Sequence, residues 1–158
     1  MTQPTGELDT FLVDVNGILR GKRSPLNSAS KLLKEGFKMP RSALGVDLWG
    51  DDVVENGLVF ETGDNDGICL PIMEEATPIP WLDGNHHQLQ TMMQNPDGSP
   101  FMADPRQILS AVCQRYQQLG LTPVVASELE FYLLAEHELE HGVPTSSQHH
   151  FDLSLIHI

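Results

Sequence analysis

The sequence predicts an α+β fold, with short strands and one short helix leading into a longer helix and a further strand. Three observations carry this. A period-2 apolar pattern breaks at Asn16-Gly17 and resumes. A glycine- and proline-rich middle leaves room only for short strands. A well-capped helix start at Asp104 precedes an apolar stretch, TPVVASELEFYLL.

Phe11, Val13 and Val15 alternate with polar residues, which is strand periodicity with one buried face, here assigned to those three. Asn16-Gly17 is a strong hairpin signal, and ILRGKR supplies the return strand. Ser28 or Ser30 then opens a short helix through Lys34, closed by Gly36 where φ is commonly positive. From Met39 to Pro80 the chain is loop-rich, with short strands expected at 57–61 and 68–73. A polar strand near 87–94 leads into the turn NPDGSP. Asp104 can cap the next helix, Pro105 suits its first position, and Gln107 can reach back as in a capping box. Ile108, Leu109, Val112, Tyr116 and Leu119 share one face of that helix, and Gly120 ends it. A domain boundary is expected just before Asp104, giving domains 1–103 and 104–158, with the tail 142–158 irregular.

Composition narrows the function. The chain has 158 residues, 40% of them hydrophobic and 20% charged, as globular proteins do. No apolar run approaches a membrane span, and MTQPTGELDT has neither a basic nor an apolar signal segment, so a cytoplasmic protein is expected. The two cysteines, Cys69 and Cys113, form no framework and read as reduced thiols. A net charge of −13 argues against nucleic acid or an anionic membrane as partner. Seven of the nine Lys and Arg lie between Arg20 and Arg41, so the remainder is strongly acidic.

Two motifs in SELEFYLLAEHELEHG invite a metal. If TPVVASELEFYLL is a strand, Glu128 and Glu130 share a face with Val124, Ala126, Tyr132 and Leu134. Their α-carbons are then roughly 6.5–7 Å apart. Two buried carboxylates pointing one way repel unless cations meet them, and arginine is scarce here. Oxygen-liganded divalent ions are one answer, paired ions about 3.5–4 Å apart being suited to phosphoryl chemistry. A solvated strand end is the other. The second motif, His137-Glu138 to His141, spells the H-E-x-x-H of zinc proteases. Gly142-Val143-Pro144 stops any helix there, and the possible third ligands His149, His150 and Asp152 lie in a polar tail, so a charged loop is the expectation.

DVNGILRGK (14–22), the segment Gly63 to Pro71, the TPIPW stretch ending at Trp81, DGSPFMADPRQIL (97–109) and SELEFYLL (127–134) occur in the order found in glutamine synthetase-like enzymes. The chain resembles that family from about residue 9 to 135, and the details are nearer its γ-glutamylputrescine (γ-glutamylpolyamine) synthetase branch than its ammonia-using members. The resemblance implies a β-grasp N-terminal domain to about 103, then the first helix and strand of a catalytic domain. It implies Glu128 and Glu130 as ligands of different Mg²⁺ or Mn²⁺ ions, and as substrates ATP, glutamate and an amine, with putrescine or another polyamine expected ahead of ammonia. Homo-oligomeric stacked rings follow as well, with Asp47 reaching a neighbour's site to bind or deprotonate the amine. Asp47 is followed by Leu48-Trp49-Gly50 rather than the Gly-Ser-Ser of the ammonia-using pattern. The family's other metal, ATP and glutamate ligands would lie past residue 158, and HHFDLSLIHI reads as a read-through tail. The expectation is a truncated ATP-dependent glutamate–amine ligase, inactive alone; a non-catalytic assembly module is the alternative, and a zinc protease a more distant one.

Overall fold

The computed structural model describes residues 5–61 and 63–131. The chain divides into two units, Met1–Pro123 and Val124–Ile158.

The first unit is built on β1 (Glu7–Val13), β2 (Leu19–Pro25), α1 (Ala29–Glu35), β3 (Phe37–Pro40), β4 (Asp66–Pro71), β5 (Thr77–Pro78), β6 (His86–Gln94) and α2 (Pro105–Gln118). Its sheet runs β2-β1-β6-β4-β3, with β5 paired to β6 off that path. All pairings are antiparallel except β1 with β6, where Glu7 to Phe11 run parallel to His86 to Gln90. The fold is a mixed sheet with few helices.

The predicted hairpin forms around Gly17, whose φ of 79° is one that glycine adopts without cost. Asp14 drives the turn. Its Oδ1 accepts from the backbone N–H of Asn16 and Ile18, both at 2.9 Å, and its Oδ2 from Arg20 Nε at 2.9 Å. The face assigned to β1 is corrected. Leu8, Thr10 and Leu12 are buried, while Phe11 and Val13 are half-buried and Val15 stands exposed in the turn. Both faces carry apolar residues, so a period of 2 cannot by itself say which one meets the core.

α1 ends at Gly36 with φ 65°, as expected, and an added Cβ there would collide with the Cys69 carbonyl oxygen. The strand expected at 57–61 is absent; Val54–Asn56 is a 3-10 turn closed by Gly57 at φ 70°, and a further turn follows it. Such glycine-rich sequence can close turns as readily as it can extend. The 68–73 strand appears as β4 and the 87–94 strand as β6. Leu12, Met39, Leu44, Cys69, Met93 and Phe101 form the core cluster.

α2 starts as the sequence indicates, with Asp104 accepting from Arg106 N at 2.8 Å and Pro105 in the first turn. Gln107 does not close a capping box. It donates from Nε2 to the Met93 carbonyl at 2.7 Å, while the second Asp104 oxygen accepts the Met93 N–H at 2.7 Å. The recorded β1–β6 register stops at Gln90, and beyond it two side chains from the helix start serve Met93 as a neighbouring strand would. Gln107 is the only buried residue of α2, and the apolar face of Ile108, Leu109, Val112, Tyr116 and Leu119 is exposed.

The expected strand TPVVASELEFYLL, which begins at the end of the first unit and runs into the second, does not form among the described residues: 121–131 carry no regular structure and are exposed throughout. Strands exist by pairing, and no described residue pairs with this segment. Residues 132–134 lie outside the described range.

Candidate functional site

A carboxylate can do chemistry only with lone pairs that its own fold has not already filled.

Asp104 is filled. It is 1% exposed, and both oxygens accept short backbone bonds, so it holds the start of α2 against β6 and is not free to act elsewhere. Asp14 is filled as well, by two backbone amides and Arg20. Burial pushes its carboxyl up. The bonds from Ile18 N–H, Arg20 and Asn16 N–H, together with the arginine charge, outweigh that and hold it below the usual carboxylate range. Asp9 is held low chiefly by its two-pronged contact with Arg23, at 2.7 and 2.8 Å. Cys69 is pushed up to about 12 by burial first and by the charge of Asp104 second, so it is a core thiol and no nucleophile at neutral pH.

Asp47 is half-filled. A short antiparallel bridge between Val46 and Asp52 closes its loop, and the Asp47 N–H donates to the Asp51 carbonyl at 2.9 Å. Inside the loop Oδ1 accepts from Trp49 N at 2.8 Å and Asp51 N at 2.9 Å, an Asx-type turn with Gly50 at φ 93°. Oδ2 accepts no hydrogen bond from any described residue. The carboxylate is therefore fixed in direction with one oxygen available, and beside it the Trp49 side chain is 86% exposed.

Glu128 and Glu130 are open. Neither makes a hydrogen bond or ion pair with a described residue, and both stand exposed in the 121–131 segment. They supply hard oxygen donors two residues apart, the donor type that Mg²⁺ and Mn²⁺ select. Two donors are fewer than a site needs, and among the described residues no group of three or more His, Cys, Asp or Glu is gathered to hold a metal. Asp47 belongs to the first unit and the two glutamates to the second. The motif His137-Glu138 to His141 lies outside the described residues. Among those described, no helix is long and apolar enough to cross a membrane.

The sequence reading missed the grip of Asp104 and Gln107 on Met93. Its signal was present: a glutamine placed one turn into an otherwise well-patterned helix, three residues after an aspartate cap.

Comparison with known proteins gives these acids a context. The family model "Glutamine synthetase, catalytic domain" matches residues 102–154, a span containing α2, Glu128 and Glu130. The match runs past 135, so the family resemblance extends further along the chain than the sequence motifs placed it. The chain is 42% identical over 130 residues to γ-glutamylputrescine synthetase PuuA of Escherichia coli (strain K12), covering 82% of this chain and 27% of that protein. It is 31% identical over 113 residues to glutamine synthetase of Thermotoga maritima, covering 66% and 26%. Against glutamate–isopropylamine ligase of a Pseudomonas species it is 29% identical over 126 residues, covering 77% and 27%. In three dimensions it is similar to the crystal structure of a glutamine synthase homolog, with a TM-score of 0.60, 20% identity, and coverage of 75% of this chain and 28% of that one. The chain thus spans about a quarter of the length of the curated relatives it matches.

Proposed function

Starting from a chain related to the glutamine synthetase family, we propose that it is the N-terminal portion of an ATP-dependent glutamate–amine ligase whose acceptor is a polyamine such as putrescine. The observation that carries this is the 42% identity over 130 residues to a γ-glutamylputrescine synthetase, more than to the glutamine synthetases compared. Residues 1–103 form the β-grasp domain, for which the hairpin β1–β2 and the parallel pairing of β1 with β6 speak. Residues from Asp104 begin the catalytic domain.

The reaction transfers the γ-phosphoryl group of ATP to the γ-carboxylate of glutamate, releasing ADP. The amine nitrogen then attacks the γ-carbonyl carbon, phosphate leaves, and the nitrogen gives up a proton. Glu128 and Glu130 would be the residues that hold Mg²⁺ or Mn²⁺, and such ions would supply charge compensation for the phosphates. Asp47 serves the amine. Its Oδ1 is locked by the loop's own amides, so Oδ2 points one way, holds the acceptor's ammonium group and takes its proton. The enzyme works in the cytoplasm as stacked rings, the Asp47 loop of one subunit entering the site of the next. Among the described residues no third donor is gathered beside Glu128 and Glu130, and the 158-residue chain by itself is expected not to turn over.

The test is a chimera in which residues 9–135 of this chain replace the matching segment of the Escherichia coli γ-glutamylputrescine synthetase, assayed for phosphate release with glutamate and ATP. Putrescine-dependent turnover is expected, falling by at least about a hundredfold with Glu128→Ala or Glu130→Ala, as loss of a metal ligand should. Turnover with ammonium but not putrescine would sink the polyamine assignment. Turnover by the isolated 158-residue chain would sink its dependence on the missing donors.

A further inference from the structure

The first 41 residues hold seven Lys and Arg against four Asp and Glu, while the other 117 hold two against eighteen. The structure shows what becomes of this excess. Arg20 is bound to Asp14, Arg23 to Asp9 and Glu7, and Arg41 reaches the Asn65 carbonyl and Asn95. Lys31, Lys34 and Lys38 are exposed and make no ion pair with a described residue.

Two of these three lysines converge. An open groove of about 570 Å³ lies between α1 and the strands β2 and β3. Lys31 and Lys38 line it from opposite elements, Ser28 adds a hydroxyl, Ser24 lines it with its own hydroxyl turned to the Leu8 carbonyl at 3.5 Å, and Leu32, Phe37 and Ile68 give it apolar walls. Lys22 adds a further cation at its border. Its Nζ donates to the Lys38 carbonyl at 3.1 Å and sits 5.6 Å from the centre of the Phe37 ring. One acid, Glu35, also lines the groove, four residues after Lys31 on the same face of α1. The size is that of a small-molecule site, and apolar walls with a few converging charges are what such sites present.

We infer that the groove between α1 and β3 is a binding site for an organic polyanion, a phosphorylated molecule with an apolar or aromatic body held by Lys31 and Lys38. Phosphate oxygens take the two ammonium groups and the Ser28 hydroxyl, and the body of the ligand covers Leu32 and Ile68. Its lining includes none of Asp47, Glu128 and Glu130, and its existence does not depend on the ligase reading.

The probes are ADP and inorganic pyrophosphate, titrated calorimetrically into the 158-residue chain in chelator-treated buffer so that no divalent ion bridges them to acidic residues. ADP is expected to bind more tightly than pyrophosphate, and higher salt should weaken both. Lys31→Glu with Lys38→Glu should weaken ADP by about tenfold or more, the effect of losing a charge-assisted contact. Glu35→Gln should tighten it a few-fold. Both positions are exposed, so the thermal midpoint of each variant checks that the fold is intact. Equal affinity for the two probes would overturn the role of the apolar walls. No binding, or binding that the lysine reversals leave unchanged, would overturn the site.

Discussion

The acids of the first unit and those of the 121–131 segment are the same chemical groups in opposite conditions. Asp104 and Asp14 are buried and spend every contact on their own backbone or on a neighbouring arginine. Glu128 and Glu130 are exposed and spend none on a described residue. The first kind is committed to the fold and the second is not, so removing an open carboxylate should spare the stability that a committed one supplies. Asp47 stands between, with one oxygen committed to its loop and one open.

The comparison breaks most visibly if Asp104 proves dispensable. Asp104→Ala leaves the Met93 amide without its acceptor and α2 without its cap. It should destabilise the chain by roughly 2–4 kcal/mol, summing an unsatisfied buried donor and a lost N-cap. Urea unfolding followed by circular dichroism measures this, and a loss under 1 kcal/mol would mean the bonds to Met93 and Arg106 are not what holds α2 in place. Gln107→Leu should cost less, about 1–3 kcal/mol, because only the Met93 carbonyl loses its partner. A neutral result would place that carbonyl within reach of water.

Acid is the next probe. Asp14 has a lower pKa folded than unfolded. Its stabilisation is therefore complete above the unfolded value, near 3.9, and drains away as pH falls through the folded one. Asp9 shifts in the same direction, as does Asp97, whose Oδ1 accepts from the Ser99 hydroxyl at 2.6 Å and the Ser99 N–H at 2.9 Å, and both add to the loss. Unfolding free energy should therefore be flat from neutrality to about pH 5 as far as these three groups decide it, and should fall below pH 4. Asp14→Asn should flatten part of that fall; an unchanged acid limb would assign it to other groups.

The smallest expected effect is at the open acids. Glu128→Ala with Glu130→Ala should change stability by no more than about 0.5 kcal/mol, as exposed substitutions do. The same change should reduce binding of Mn²⁺ read by paramagnetic relaxation. A large loss of stability here would erase the distinction between the two kinds of carboxylate.

Legibility in the sequence followed the range over which each signal acts. The Asn16-Gly17 hairpin, the Gly36 stop and the Asp104-Pro105 start are written in a few adjacent residues, and all three are as read. The buried face of β1 was not readable, because Leu8 and Leu12 compete with Phe11 and Val13 and the period is the same for both sets. The pairing of β1 with β6 joins residues about eighty apart, and nothing local in either strand names the other. The E-x-E spacing was plain, whereas the strand meant to carry it was inferred from alternation alone. Alternation describes how a segment would pair and supplies no partner. Open lone pairs on Glu128, Glu130 and Asp47 could be seen only once the donors around every other acid had been accounted for.

The parallel partnership of β1 and β6 also sets an order in time. A chain made from its N-terminus can close the β1–β2 hairpin early, yet β1's other edge has no partner until His86 to Gln90 have left the ribosome. The grip on Met93 comes later still, with Asp104 and Gln107. Through most of its synthesis the first unit therefore carries an open strand edge, the kind of surface that other nascent chains adhere to. Such long-range closure makes the sheet slow to complete and exposed to aggregation while it waits.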